Sequence, residues 1–144
     1  HEEYLAGLKK EPMKIDSALL DSLTEAAKHS PSLRMNYDLR TSPTDGSQRM
    51  LNALEPGTVV PVHRHRTTTE TVVLLRGKAI QYYYDDAGQV TDSIVLEAGS
   101  PCFMMSVDLG RWHRLESLAH GTVIFECKDG AYESLGEEDV MEVA

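Results

Sequence analysis

The segment GTVVPVHRHRTTTETVVLLRG, running from Gly57 to Gly77, carries more information than any other part of this chain. Read as an extended strand, it puts His63 and His65 on one face, ~6.6–7 Å apart along the backbone. That spacing lets both imidazoles reach one ion, while Arg64 and Arg66 point the other way, toward solvent. Residues 66–69 supply a turn, and Glu70 opens the returning strand with its carboxylate beside the imidazoles. Two imidazoles and a carboxylate form a donor set for a divalent first-row metal, with coordination positions left open. An H-x-H pair alone is a weak signal. Here the carboxylate and the two bounding glycines accompany it at fixed spacing.

Working outward, the segment sits in β-rich texture. Short apolar runs at roughly Arg49–Leu54, Thr58–Val62, Glu70–Leu75, Lys78–Tyr84, Val90–Leu96, Cys102–Val107, Trp112–Glu116 and Thr122–Cys127 alternate with Gly, Pro and Asp turns. Asp85-Asp86-Ala87-Gly88 is a hairpin signal. Strands at ~8–12-residue spacing predict a sandwich or barrel. In such a fold His113, on a later strand, is a plausible fourth ligand. Before the strands, Leu19, Leu20, Leu23, Ala26 and Ala27 recur at helical period over about residues 17–29. Asp16 is placed as N-cap and Pro31 as terminator. Helical period returns only weakly, in the acidic tail near Glu137–Met141.

The chain has 144 residues, one domain's worth, with 41% apolar and 26% charged residues, which fits a globular domain rather than a disordered one. Residues 1–12 read as a leader outside the fold and residues 13–144 as the domain, with its barrel over about residues 48–128. The formal net charge of -9 argues against nucleic acid and against an anionic membrane surface as partners. No apolar run approaches the ~20 residues of a membrane helix. Cys102 and Cys127 are too few for a disulfide framework and read as buried free thiols. With no secretory signal visible, a cytoplasmic location is expected.

The 57–77 segment resembles the first cupin motif, G-x5-H-x-H-x4-E-x6-G, at every fixed position. The resemblance implies an all-β, single-domain jelly-roll barrel (a double-stranded β-helix) with an added N-terminal α-helix. It also implies that His63, His65 and Glu70 ligate a metal. The second cupin motif is partly present: Gly110 and His113 keep its spacing, which makes His113 the fourth ligand. Asp108 replaces its Pro and Ser117 its Asn, and Gly99 lies three residues too far upstream. Residues 13–144 are similar more specifically to WbuC-type cupin metalloproteins, through the stretches around Arg34-Met-Asn36-Tyr37, Gln48-Arg49-Met50-Leu51, Trp112-His113 and Phe125–Tyr132.

That resemblance implies one divalent transition metal (Fe, Mn, Zn or Ni), a small-molecule ligand and a homodimer. It further implies a role near bacterial surface-polysaccharide synthesis, with a sugar or sugar nucleotide as the molecule acted on. Arg34, Asn36, Arg49, Asn52 and Trp112 are the candidate pocket residues. The motifs identify no catalytic residue and no general base beside the metal. A metal-dependent enzyme of isomerase, lyase or dioxygenase type and a non-catalytic binding or sensing module therefore both stand. A metal-free epimerase on the same barrel is disfavoured by the complete H-x-H…E set.

Overall fold

The computed structural model describes residues 13–142; the expected leader lies outside them. Helix α1 spans Ser17–His29 and starts where expected, with the amide of Leu19 donating to the Asp16 carboxylate at 3.1 Å. Its apolar stripe, Leu20, Leu23 and Ala27, packs on Leu51, Ala53 and Val123. The helix thus covers the outside of one sheet.

Ten strands follow: β1 Arg34–Asp38, β2 Ser47–Leu54, β3 Val62–His63, β4 Glu70–Arg76, β5 Lys78–Tyr84, β6 Val90–Glu97, β7 Met104–Val107, β8 Trp112–Ser117, β9 Val123–Asp129 and β10 Val140–Met141. They form two five-stranded antiparallel sheets, ordered β1-β2-β9-β4-β7 and β10-β3-β8-β5-β6. This is the all-β jelly roll with one N-terminal helix that the sequence implies. The core between the sheets is apolar at one end, where Leu54, Val72, Leu74, Ala79, Leu96, Val107 and Leu115 meet. Polar side chains take over toward the other end.

Several expectations need correction. Strand β1 escaped the sequence reading because its apolar residues are few: Met35 and Tyr37 face the helix, while Arg34 and Asn36 occupy the alternate positions. The strand expected over Thr58–Val62 shrinks to the pair Val62–His63, since Pro61 offers no amide to a ladder. The acidic tail is not an α-helix but a single 3-10 turn, Glu137–Asp139, running into β10. Cys102 is exposed rather than buried and Cys127 is half-buried; both thiols are free.

Two motif glycines serve the backbone. Gly57 and Gly77 have φ of +100° and +83°, the left-handed region that favours glycine. A Cβ on Gly77 would sit 2.6 Å from the Cα of Thr122, so no side chain fits at this corner.

Candidate metal centre

Each imidazole arrives from a different piece of backbone. His63 ends β3 and is register partner to His113 on β8, whose other neighbour is Tyr83 on β5. His65 lies just past β3, and its carbonyl accepts from the Gly110 amide at 2.7 Å, tying it to the turn that leads into His113. The ring centroids are 4.4 Å apart for His63–His113, 5.0 Å for His63–His65 and 5.6 Å for His65–His113. One nitrogen from each ring lies within 4.8 Å of the other two.

Hydrogen bonds fix two of the rings. Nδ1 of His63 meets the Pro61 carbonyl at 2.8 Å, and Nδ1 of His113 meets the Arg111 carbonyl at 2.7 Å. A carbonyl only accepts, so each Nδ1 carries the hydrogen and each Nε2 keeps its lone pair. Burial, reinforced by the charge of the neighbouring His113, pushes the His63 imidazolium pKa down to about 4. Burial also lowers that of His65, against the pull of Glu70. Both rings are thus neutral near pH 7, as metal ligation requires. Nε2 of His65 and Nε2 of His113 are buried without a hydrogen-bond partner. Buried unpaired polar atoms are uncommon and costly, and a cation between the rings would satisfy them. The donor set therefore fits a divalent metal.

Glu70 stands beside this cluster. One carboxylate oxygen is 3.4 Å from Nε2 of His113. The other is 3.4 Å from the ammonium of Lys128, its register partner on β9. Burial pushes the Glu70 carboxyl up, but His113 and Lys128 outweigh burial and hold it at about 2. Next along the same wall is a second carboxylate, Glu126, which accepts from the Asn52 amide at 2.6 Å. Burial first, and the facing Glu70 charge second, push Glu126 up to about 7. The pair thus places its proton on Glu126 and its charge on Glu70.

These groups line a cavity of about 270 Å³ between the sheets, which also reaches Arg34, Gln48, Gln81, Tyr132, Glu133 and Leu135. Of the five candidate pocket residues, Arg34 and Asn52 line it and three do not. Trp112 is the register neighbour of His113, so alternation sends it to the outer face of its sheet. There it packs with Val62 and Tyr84, donates to Asp86 at 3.0 Å and carries the Arg64 guanidinium on its ring at 4.4 Å. Arg49 points outward for the same reason and pairs with Asp45 at 2.9 Å. Asn36 is exposed on the outermost strand. Arg64 and Arg66 do turn away from the imidazoles, yet both are held by Asp139, at 3.0 and 2.6 Å.

The sequence reading missed Glu126, Lys128 and Gln81. A signal was present in β9: Ile124, Glu126 and Lys128 alternate with Val123, Phe125 and Cys127, and polar residues at every second position of a central strand mark a polar interior.

Solved structures with this fold share little sequence with it. The capsular polysaccharide assembling protein CapF from Staphylococcus aureus superposes with a TM-score of 0.57 at 16% identity, over 74% of this chain and 30% of CapF. KdgF from Halomonas sp. gives 0.56 at 10% identity, over 72% of this chain and 85% of KdgF. Oxalate decarboxylase from Bacillus subtilis, a protein with Mn(II) centres, gives 0.54 at 18% identity, over 76% of this chain and 28% of that one. The chain therefore spans less than a third of CapF and of oxalate decarboxylase. These similarities establish the cupin fold. No curated protein matches the chain in sequence. One family model does match, over residues 15–96, which run from the helix cap through His63, His65 and Glu70 to the end of β6, and the chain accordingly belongs to the family described as domain of unknown function DUF6016.

Proposed function

We propose that this protein is a WbuC-like metal-binding cupin that holds one divalent transition metal on His63, His65, His113 and Glu70 and acts on a small polar molecule in the adjoining cavity. The observation that carries this reading is the convergence of three imidazoles, two of them with buried, unpartnered nitrogens. When bound, such a metal supplies Lewis-acid polarisation of a ligand oxygen. Imidazole and carboxylate donors suit iron, manganese, zinc or nickel and do not choose among them.

The chain's own residues set the rest. The Pro61 and Arg111 carbonyls orient the rings, Lys128 steadies Glu70, and Glu126, raised to about 7, accepts from the Asn52 amide at 2.6 Å. Glu126 supplies the proton-bearing group that the motifs did not reveal, which favours an enzyme over a purely binding module. A cavity of about 270 Å³ falls below the ~300–1,000 Å³ that encloses drug-sized ligands. That favours a sugar fragment or small acid over an entire sugar nucleotide. The description of CapF as a capsular polysaccharide assembling protein supports a setting in surface-polysaccharide metabolism. A homodimer in solution belongs to the same reading.

Isothermal titration with Zn(II) tests the site. The parent should bind one ion per chain and the His63→Ala/His65→Ala variant none. Equal binding by both would remove the metal assignment.

A further inference from the structure

The deep wall of the cavity carries more polar machinery than a metal needs. Asn52 is 2% exposed and Gln81 is 1% exposed, on opposite sheets, and both line the cavity. The Asn52 amide nitrogen is committed to Glu126, which leaves its Oδ1 as a buried acceptor without a donor. Gln81 presents the complement, a buried Nε2 donor without an acceptor. Leaving such groups unmet is costly. A hydroxyl both donates and accepts, so it answers either group.

Charge sets the second requirement. Arg34 and Lys128 place two cations on the wall. Lys128 shares Glu70, whereas Arg34 forms no ion pair among the described residues. Against them the wall sets the carboxyls of Glu70 and Glu126, and Glu133 is exposed to solvent at its edge of the cavity. With a divalent ion on the imidazoles, positive charge predominates in the interior, and a desolvated cation seeks an anion.

We infer that the cavity recognises a small hydroxylated anion, a carboxylate or phosphate ester, with Lys128 and Arg34 holding its charge and Asn52 and Gln81 reading its hydroxyl. This rests on the metal-site reading above and adds the ligand class to it. A neutral sugar lacks the charge, and a simple anion lacks the hydroxyl.

The test is calorimetry on Zn(II)-loaded protein with four probes: lactate, propionate, propane-1,2-diol and glycerol 3-phosphate. Lactate or glycerol 3-phosphate should bind at least about tenfold tighter than propionate and propane-1,2-diol, the scale of one charge-assisted hydrogen bond. Whichever of the two binds tighter identifies the source of the charge. Lys128→Met should weaken that anion about tenfold, and Gln81→Met should reduce lactate to the affinity of propionate, both with zinc stoichiometry intact. Because any hydroxy acid can chelate a bound ion, the two variants decide whether the wall takes part. The inference is overturned, with the metal site left standing, if both anions bind no better than the diol. It is equally overturned if both variants bind like the parent. Failure of the parent to bind zinc removes both readings together.

Discussion

At the scale of single residues, the cavity is a set of opposed titrations. His63 takes a proton near 6.5 in the unfolded chain but only near 4 in the fold. Between those values the unfolded chain binds more protons, so this group makes the metal-free protein less stable as pH falls. Glu126 works in the opposite sense. Its pKa rises from 4.5 to about 7, so the folded state binds more protons over that window and stability is lost as pH rises. The two contributions offset one another in the parent. Glu126→Gln removes the second, and the unfolding free energy of the metal-free variant, measured by denaturant titration, should fall more steeply than the parent's from pH 6.5 to 4.5, by up to ~1.4 kcal/mol per pH unit. Parallel pH profiles for parent and variant would show that Glu126 does not carry the proton. The imidazole pair was legible in the sequence because alternation along one short segment places both rings. Glu126 and Lys128 were not, because their meaning depends on which strand pairs with β4, and that pairing joins residues 58 positions apart, Glu70 with Lys128.

At the scale of elements, the site depends on corners and on a clasp. Gly77 turns the chain from β4 into β5 at φ +83°, with the Thr122 backbone directly against it. Gly77→Ala should lower the unfolding free energy by at least ~1–3 kcal/mol, measured by chemical denaturation, since strained φ and close contact act together. An unchanged midpoint would mean the corner relaxes freely. The motif marks this glycine by position alone; the reason for it, the approach of Thr122, appears only in the fold. The clasp is Asp139, whose carboxylate holds both Arg64 and Arg66 and whose carbonyl accepts from the Arg64 amide at 3.1 Å. It pins the chain beyond β9, of which Tyr132, Glu133 and Leu135 form part of the cavity lining. Asp139→Ala should speed amide hydrogen exchange at Arg64 and along Val140–Met141 while leaving the central strands β4 and β9 protected. Uniform exchange would indicate that the tail is held by other contacts. Charge balance revealed the acidity of this tail but not its arginine partners, which lie more than 70 residues away.

At the scale of the whole molecule, an apolar floor, a polar upper cavity and a ring of histidines follow from one arrangement: two twisted antiparallel sheets with a helix against the outer face of one. The inward positions of β2, β4, β8 and β9 change from leucine, valine and isoleucine at one end to Asn52, Glu70, His113, Glu126 and Lys128 at the other. Motif spacing and strand alternation made the barrel and its histidines readable. Trp112 and Arg49 belong to stretches that carry the family resemblance, but alternation in a strand sends adjacent side chains to opposite faces, so both point away from the cavity. The central claim is that His63, His65 and His113 close on one cation within this barrel. Titration of the metal-free protein with Co(II), followed by its visible ligand-field bands, tests this most directly. Saturation at one Co(II) per chain, lost in His63→Ala/His113→Ala, is predicted; no saturable spectrum, or the same spectrum in the variant, would contradict it.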